Sequence, residues 1–328
     1  MTGLSDSFQR PINYLRISVT DRCNLRCIYC MPADGIELMS HEDILTYEEI
    51  HTVARAAAEL GINKVRLTGG EPLVRSGLSE LIRMLAQIDG IDDISLTTNG
   101  TLLSRYAAEL KRAGLQRVNV SLDTLKPDKF SLITRSNLAL DDVLAGIEAA
   151  RSVGLDPVKL NMVVVSGVND DEILDFTAKT IDEGWHVRFI EFMPLGGVGL
   201  SNSRFTPVSE MRKRLEQVGE LQPCLPDVGN GPARYFRFPN ARGTVGFITP
   251  VSEHFCFHCN RLRLTADGRL RLCLLAEDEI DLRQSLRGGA SLAEMKQLIE
   301  AAVADKPLRH RLAEGLTSED RPMTQVGG

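Results

Sequence analysis

The sequence lacks any long apolar run. No stretch approaches the ~18 apolar residues of a membrane span, and residues 1–10 hold no apolar core of a secretory leader. A membrane protein is not expected, and the expected location is the cytoplasm. A surplus of positive charge is missing too. The 38 Lys and Arg are outnumbered by 44 Asp and Glu, for a net charge of −6 and a pI of about 5.6, so no overall field exists to hold a phosphate backbone. Nucleic acid is not an expected partner. The seven cysteines are the wrong number for a disulfide framework: seven is odd, and six fall into two tight groups. That points to metal in a reducing compartment. Cys224 is left over and reads as a buried free thiol.

What is present is an ordinary globular composition, 43% hydrophobic and 25% charged, over 328 residues. That length suggests about two domains at ~150 residues each. The stretch the chain is organised around is residues 21–30, which places Cys23, Cys27 and Cys30 in a CxxxCxxC pattern just after a strand-like run at 14–19. Thiolates suit a soft metal, and iron–sulfur clusters are held by cysteine thiolates, normally four. Only three are offered here, which leaves one iron open for an outside ligand. Structural zinc is the alternative, but it usually closes a set of four.

A βα rhythm follows. Residues 46–49, Thr-Tyr-Glu-Glu, fit a capping box, and Ile50, Val53, Ala54, Ala57 and Leu60 recur on one helical face. Glycine then punctuates the chain at 61, 90, 114, 154 and 184, each followed by an apolar residue and a strand-like run. Those runs are 64–68, 93–97, 117–122, 158–165 and 187–193; with the first they make six, spaced as βα units on a parallel sheet.

Side-chain parity decides between sheet types. Successive strand residues point to opposite faces. One face collects Leu15, Ile17, Val65, Leu67, Val118 and Leu160; the other collects Arg16, Arg66, Thr97, Ser121, Lys159 and Asn161. A parallel strand covered on both sides would be apolar throughout, and a closed barrel fills its interior with branched side chains. The expected fold is therefore α/β: an open, partial six-stranded βα barrel with a polar lumen. Buried cations there require anionic company. Asp123 alone is insufficient, so a bound polyanion is the economical partner, with internal ion pairing as the alternative. Arg188, on the sixth strand, is a candidate phosphate contact.

Pro and Gly break the rhythm over 216–242, placing a domain junction there: 1–215 for the barrel and 216–328 for a smaller C-terminal domain. That second part carries Cys256, Cys259 and Cys273. Between them, 261–265 and 269–273 alternate around Ala266-Asp267-Gly268. A three-residue turn with glycine in the left-handed position sets Arg261 opposite Cys273 and Arg263 opposite Arg271, and collects every leucine on the other face. Arg261 and Arg263 then stand on the cysteine side; solvated arginines on an exposed hairpin are the alternative. His258 sits between two of the cysteines and reads as a bystander.

The CxxxCxxC run with Tyr29 before its last cysteine, followed by Gly69-Gly70-Glu71-Pro72 after the second strand, resembles the radical S-adenosylmethionine (SAM) superfamily. With residues 14–23, 255–265 and Gly327-Gly328, the chain is similar to the GTP 3',8-cyclases of molybdenum cofactor biosynthesis over nearly its whole length. The resemblance implies two [4Fe-4S] clusters, held by Cys23, Cys27 and Cys30 and by Cys256, Cys259 and Cys273. It implies SAM contacts at Tyr29, Gly70, Ser121 and Met193. It implies GTP contacts at Arg16, Arg66, Thr97, Lys159, Arg261, Leu262 and Arg263, with Arg16, Arg261, Arg263, Gly327 and Gly328 close to the chemistry. The implied reaction is abstraction of the ribose 3' hydrogen by a deoxyadenosyl radical, then bonding of C3' to purine C8 with guanine at the second cluster. A homodimer, a low-potential electron donor and a cyclic pyranopterin monophosphate synthase that takes the product are further implications. A peptide-modifying radical enzyme and a substrate-free electron carrier are the competing expectations; the second leaves two open irons without a use.

Overall fold

The computed structural model describes residues 3–193, 204–225, 229–310, 312 and 321–327. Six strands carry the expected rhythm: β1 (Tyr14–Ser18), β2 (Lys64–Thr68), β3 (Asp93–Thr98), β4 (Arg117–Ser121), β5 (Lys159–Val164) and β6 (His186–Glu191). Helices α1 (Tyr47–Glu59), α2 (Leu78–Ala86), α3 (Leu103–Ala113), α4 (Pro127–Thr134), α5 (Leu140–Ser152) and α6 (Ile173–Asp182) connect or follow them. After α7 (Val208–Leu215) come β7 (Gln222–Cys224), β8 (Arg234–Arg237), β9 (Thr244–Ile248), β10 (Arg261–Leu264), β11 (Arg269–Arg271) and β12 (Glu279–Asp281). Helices α8 (Leu282–Arg287), α9 (Leu292–Ala304) and α10 (Met323–Val326) end the described chain.

Local chemistry sets these boundaries. Thr46 Oγ1 accepts from Glu49 N at 3.2 Å while Glu49 Oε2 accepts from Thr46 N at 2.8 Å, so both ends of the expected capping box are made. The apolar stripe of α1 then packs against the sheet, with Ile50 and Val53 fully buried. The sixth strand begins one residue earlier than expected and stops at Glu191 instead of reaching Met193. Its end is fixed by Glu191, whose buried carboxylate accepts from Val208 N, Val251 N and Ser252 N at 3.0 Å each.

The sheet is larger than six strands. Its order is β12-β11-β10-β1-β2-β3-β4-β5-β6-β9-β8-β7. β10 pairs parallel to β1, and β9 pairs parallel to β6. Both edges of the partial barrel are thus extended by strands from the C-terminal part, each followed outward by antiparallel ones. The apolar face, with Leu15, Ile17, Leu67, Val120 and Leu160 essentially fully buried, packs under the helices. Cys224, expected to be buried, is only half-buried, because β7 is the outermost strand and has a neighbour on one side alone.

Candidate active site

The first cysteine loop is held backbone to backbone. Gly70 N donates to Thr20 O and Glu71 N to Arg22 O, both at 2.8 Å. A Cβ on Gly70 would lie 2.3 Å from Arg22 O, so no larger residue fits this close approach. Glu71 turns inward and accepts from Leu73 N, Thr98 Oγ1 and Asn99 N. Asn99 in turn donates to Asn24 Oδ1 at 2.8 Å, tying the ends of β2 and β3 to the loop. Burial pushes the Glu71 carboxyl up to about 7 against the pull of those hydrogen bonds.

Cys23, Cys27 and Cys30 lie in this loop, near enough for Cys30 and Cys23 to act on Cys27. Burial pushes Cys23 up to about 11 and Cys30 up to about 12, and it raises Cys27 together with the neighbouring thiols. Three crowded thiols become thiolates only where a cation compensates them, which is what iron supplies. Among the described residues no three Cys, His, Asp or Glu side chains close on a single ion. Three thiolates match a cluster with one open iron more closely than the closed set of four usual for structural zinc. Tyr29 OH donates to Asp123 Oδ2 at 2.6 Å, and Val163 N donates to Oδ1 at 2.8 Å. Asp123 is thereby engaged away from the lumen arginines. Ser121 ends β4 beside Asn161, and Met193 lies beyond β6 on the lumen wall.

The polar face of the sheet carries an arginine row. In register across three adjacent parallel strands stand Arg263, Arg16 and Arg66, with Ser95 next in line. Adjacent strands are only ~4.8 Å apart, so these guanidinium groups repel. Burial first, then Arg263, hold Arg16 well below the usual arginine range; burial and then Arg261 push Arg263 down to about 10. Arg66 donates to Ser95 Oγ at 3.1 Å, and Arg188 donates to Asn119 Oδ1. Among the described residues no carboxylate lies within ion-pair distance of Arg66, Arg188, Arg261 or Arg263. Internal ion pairing, the alternative to a bound polyanion, is not found for these four among the described residues.

The ribbon of β10 and β11 has the expected register, Arg263 opposite Arg271, with Gly268 at φ +82°. Its leucines, Leu262 among them, are buried in the core; Leu262 can offer the lumen only its main chain. Arg261 lies 4.8 Å over the Phe255 ring and sends Nη2 to within 3.7 Å of Cys259 Sγ. Burial raises the Cys259 thiol, but Arg261 and Lys306 outweigh it and bring it down to about 6. Cys256, Cys259 and Cys273 line the lumen together with Arg16, Arg261 and Arg263. Arg10 braces the trio from behind, donating to Cys256 O at 2.7 Å. His258 is exposed.

The lumen encloses about 170 Å³. Arg16, Arg66, Thr97, Met193, Arg261 and Arg263 all border it. A cationic floor adjoins it, where Arg66, Arg117, Lys159 and Arg188 meet Gly229, Asn230 and Gly231. Four lumen polar atoms, Tyr14 OH, Thr97 Oγ1, Asn161 Oδ1 and Arg188 Nε, are buried with no hydrogen-bond partner among the described residues. The tail enters beside β1: Arg263 donates to Gly327 O, and Arg16 Nη2 reaches the same oxygen at 3.4 Å. Gly328 lies outside the described residues. The sequence reading missed the 229–231 floor, Tyr14 and His310, which come from loops or isolated positions without a periodic signal.

The Radical SAM superfamily model matches residues 17–179 and the Molybdenum Cofactor Synthesis C model matches 185–312. Among curated proteins, the GTP 3',8-cyclases of Moorella thermoacetica and Pelotomaculum thermopropionicum are each 53% identical to the chain, over 99% of it and all of theirs. Among solved structures, Streptococcus suis SuiB bound to S-adenosylmethionine aligns over 90% of this chain and 66% of its own, with a TM-score of 0.63 at 14% identity, a likeness of fold. Two cysteine trios, the second beside an arginine row, and full-length identity above one half converge: the chain belongs to the GTP 3',8-cyclase family of the radical SAM superfamily.

Proposed function

We propose that this chain converts GTP to (8S)-3',8-cyclo-7,8-dihydroguanosine 5'-triphosphate, and that the arginine row is the observation carrying that reading. Its cofactors are two [4Fe-4S] clusters and S-adenosylmethionine. When bound at the first cluster, S-adenosylmethionine supplies a deoxyadenosyl radical able to take the ribose 3' hydrogen. The chain's own residues bind, orient and shield. Cys23, Cys27 and Cys30 hold the first cluster, with Tyr29, Gly70, Ser121 and Met193 around the S-adenosylmethionine. Cys256, Cys259 and Cys273 hold the second.

Arg66, Lys159 and Arg188 take the triphosphate at the cationic floor, through charge-assisted bonds. Thr97 offers its unpartnered hydroxyl to the nucleotide. Arg16, Arg261 and Arg263, nearer the second trio, orient the ribose and guanine, helped by the Leu262 main chain and by the Gly327-Gly328 tail. The part after residue 215 acts as the lumen's closure. A peptide substrate would have no use for four unneutralised cations.

A homodimer, a low-potential electron donor, and delivery of the product to a cyclic pyranopterin monophosphate synthase complete the proposal. No helix among the described residues is long and apolar enough to cross a membrane, and the reading places the protein in the cytoplasm. Anaerobic protein with rebuilt clusters tests it: GTP should trigger formation of deoxyadenosine and perturb the second cluster's spectrum. Absence of GTP-dependent deoxyadenosine overturns it.

A further inference from the structure

We infer that Lys306 is a positioning residue for the second cluster: it ties together the chain segments beside Cys259 and Cys273, and its positive charge keeps that cluster easier to reduce. The inference rests on the reading that the second trio holds a cluster.

Lys306 follows α9 and is 2% exposed. Its Nζ donates to Arg261 O at 3.0 Å and to Leu272 O. Arg261 lies two residues after Cys259, and Leu272 directly precedes Cys273, so one ammonium fastens the main chain beside two of the three ligands. Neither acceptor carries charge. Among the described residues no carboxylate pairs with Lys306, although a buried ammonium needs compensation costing several kcal/mol otherwise. Burial lowers the Lys306 ammonium below its ordinary range; Cys259 and Cys273 favour its charge, while Arg10 and Arg261 oppose it.

A cluster gains one negative charge on reduction. A desolvated cation at this place therefore favours the reduced form, and cluster potentials respond to such charge. A merely structural lysine would alter stability or cluster loading and leave the potential where it was.

The test compares Lys306→Met, of similar length but neutral, with Lys306→Arg, which keeps the charge. Both are made as full chains with rebuilt clusters, and each cluster is titrated redox-potentiometrically, the first serving as an internal standard. Lys306→Met should shift the second cluster toward the oxidised form about tenfold, which is about 59 mV downward for one electron. Lys306→Arg should stay within about threefold of the parent, and the first cluster should not move. An unmoved second potential in fully loaded Lys306→Met overturns the inference. Where Lys306→Met loads too little second cluster to titrate, iron content decides: normal loading in Lys306→Arg supports the charge, and equally poor loading overturns it. A parent protein with only one cluster would instead refute the underlying reading.

Discussion

Arg321 grips Asp267 with both arms of its guanidinium, Nη1 to Oδ1 at 3.0 Å and Nη2 to Oδ2 at 2.9 Å, and also reaches Glu279 at 2.8 Å. Asp267 belongs to the turn of the same ribbon whose Arg263 holds Gly327 O. The tail is thus fastened to the ribbon at both ends. With the pair's side chains 13% and 12% exposed, a charge-assisted bidentate contact contributes about 1.5–3 kcal/mol. Arg321→Ala should lower product formation about tenfold or more, Arg321→Lys less, with melting temperatures within a few degrees of the parent. Parent-like turnover in Arg321→Ala would remove the tail from the argument.

Gly327 has φ +70°, and a Cβ there would stand 2.5 Å from Thr68 Cγ2. Gly327→Ala should displace the carbonyl that Arg16 and Arg263 share and abolish most turnover, while iron content and melting temperature stay unchanged. Assays of product and of iron on the same preparation check this. Full activity would mean that the tail's place beside β1 is not used.

Among the described residues, the side-chain hydrogen-bond partners of Arg66 and Arg188 are neutral, Ser95 and Asn119. At about 1.5–3 kcal/mol for each hydrogen bond to a charged group, Arg66→Ala or Arg188→Ala should weaken GTP binding roughly tenfold to a hundredfold. Lysine at either place should recover part of it, since charge returns without the planar fork. A titration of the second cluster's signal with GTP measures each affinity; unchanged binding in both alanine variants would displace the triphosphate from the cationic floor.

The raised Glu71 carboxyl gives a pH signature. Its ordinary value is 4.5, and burial lifts it to about 7, so the folded chain holds a proton that the unfolded chain releases. Its contribution is fully present below pH 4.5 and is lost as the pH rises through about 7. Unfolding free energies measured across that window should fall in the parent relative to Glu71→Gln, which carries no such proton. Parallel curves would mean that Glu71 is ionised throughout.

Much of this arrangement was legible in the residues because its signals are local. Period-two alternation separated Leu15 and Ile17 from Arg16 without reference to the fold. The ribbon's register followed from requiring its leucines to share a face, and the helix-ending glycines at 61, 90, 114, 154 and 184 all adopt positive φ. What escaped was non-local. Nothing in residues 244–248 or 261–264 says that they will lie parallel to β6 and β1, because the pairing partner is far away in sequence. Lys306, Arg321 and Asn230 are single polar residues in irregular segments, and their partners become visible only in three dimensions. Asp123, judged insufficient on its own as a lumen counter-charge, has partners that the sequence did not show: Tyr29 and Val163 already occupy its carboxylate.

Because β10 settles beside β1, the first strand cannot gain its second neighbour until residues made much later by the ribosome have emerged. A nascent or prematurely terminated chain would expose the first cysteine loop without the arginine ribbon, the second trio or residues 321–327. The nucleotide chamber is therefore completed only once residues 261–327 have been made and have settled against the first strand.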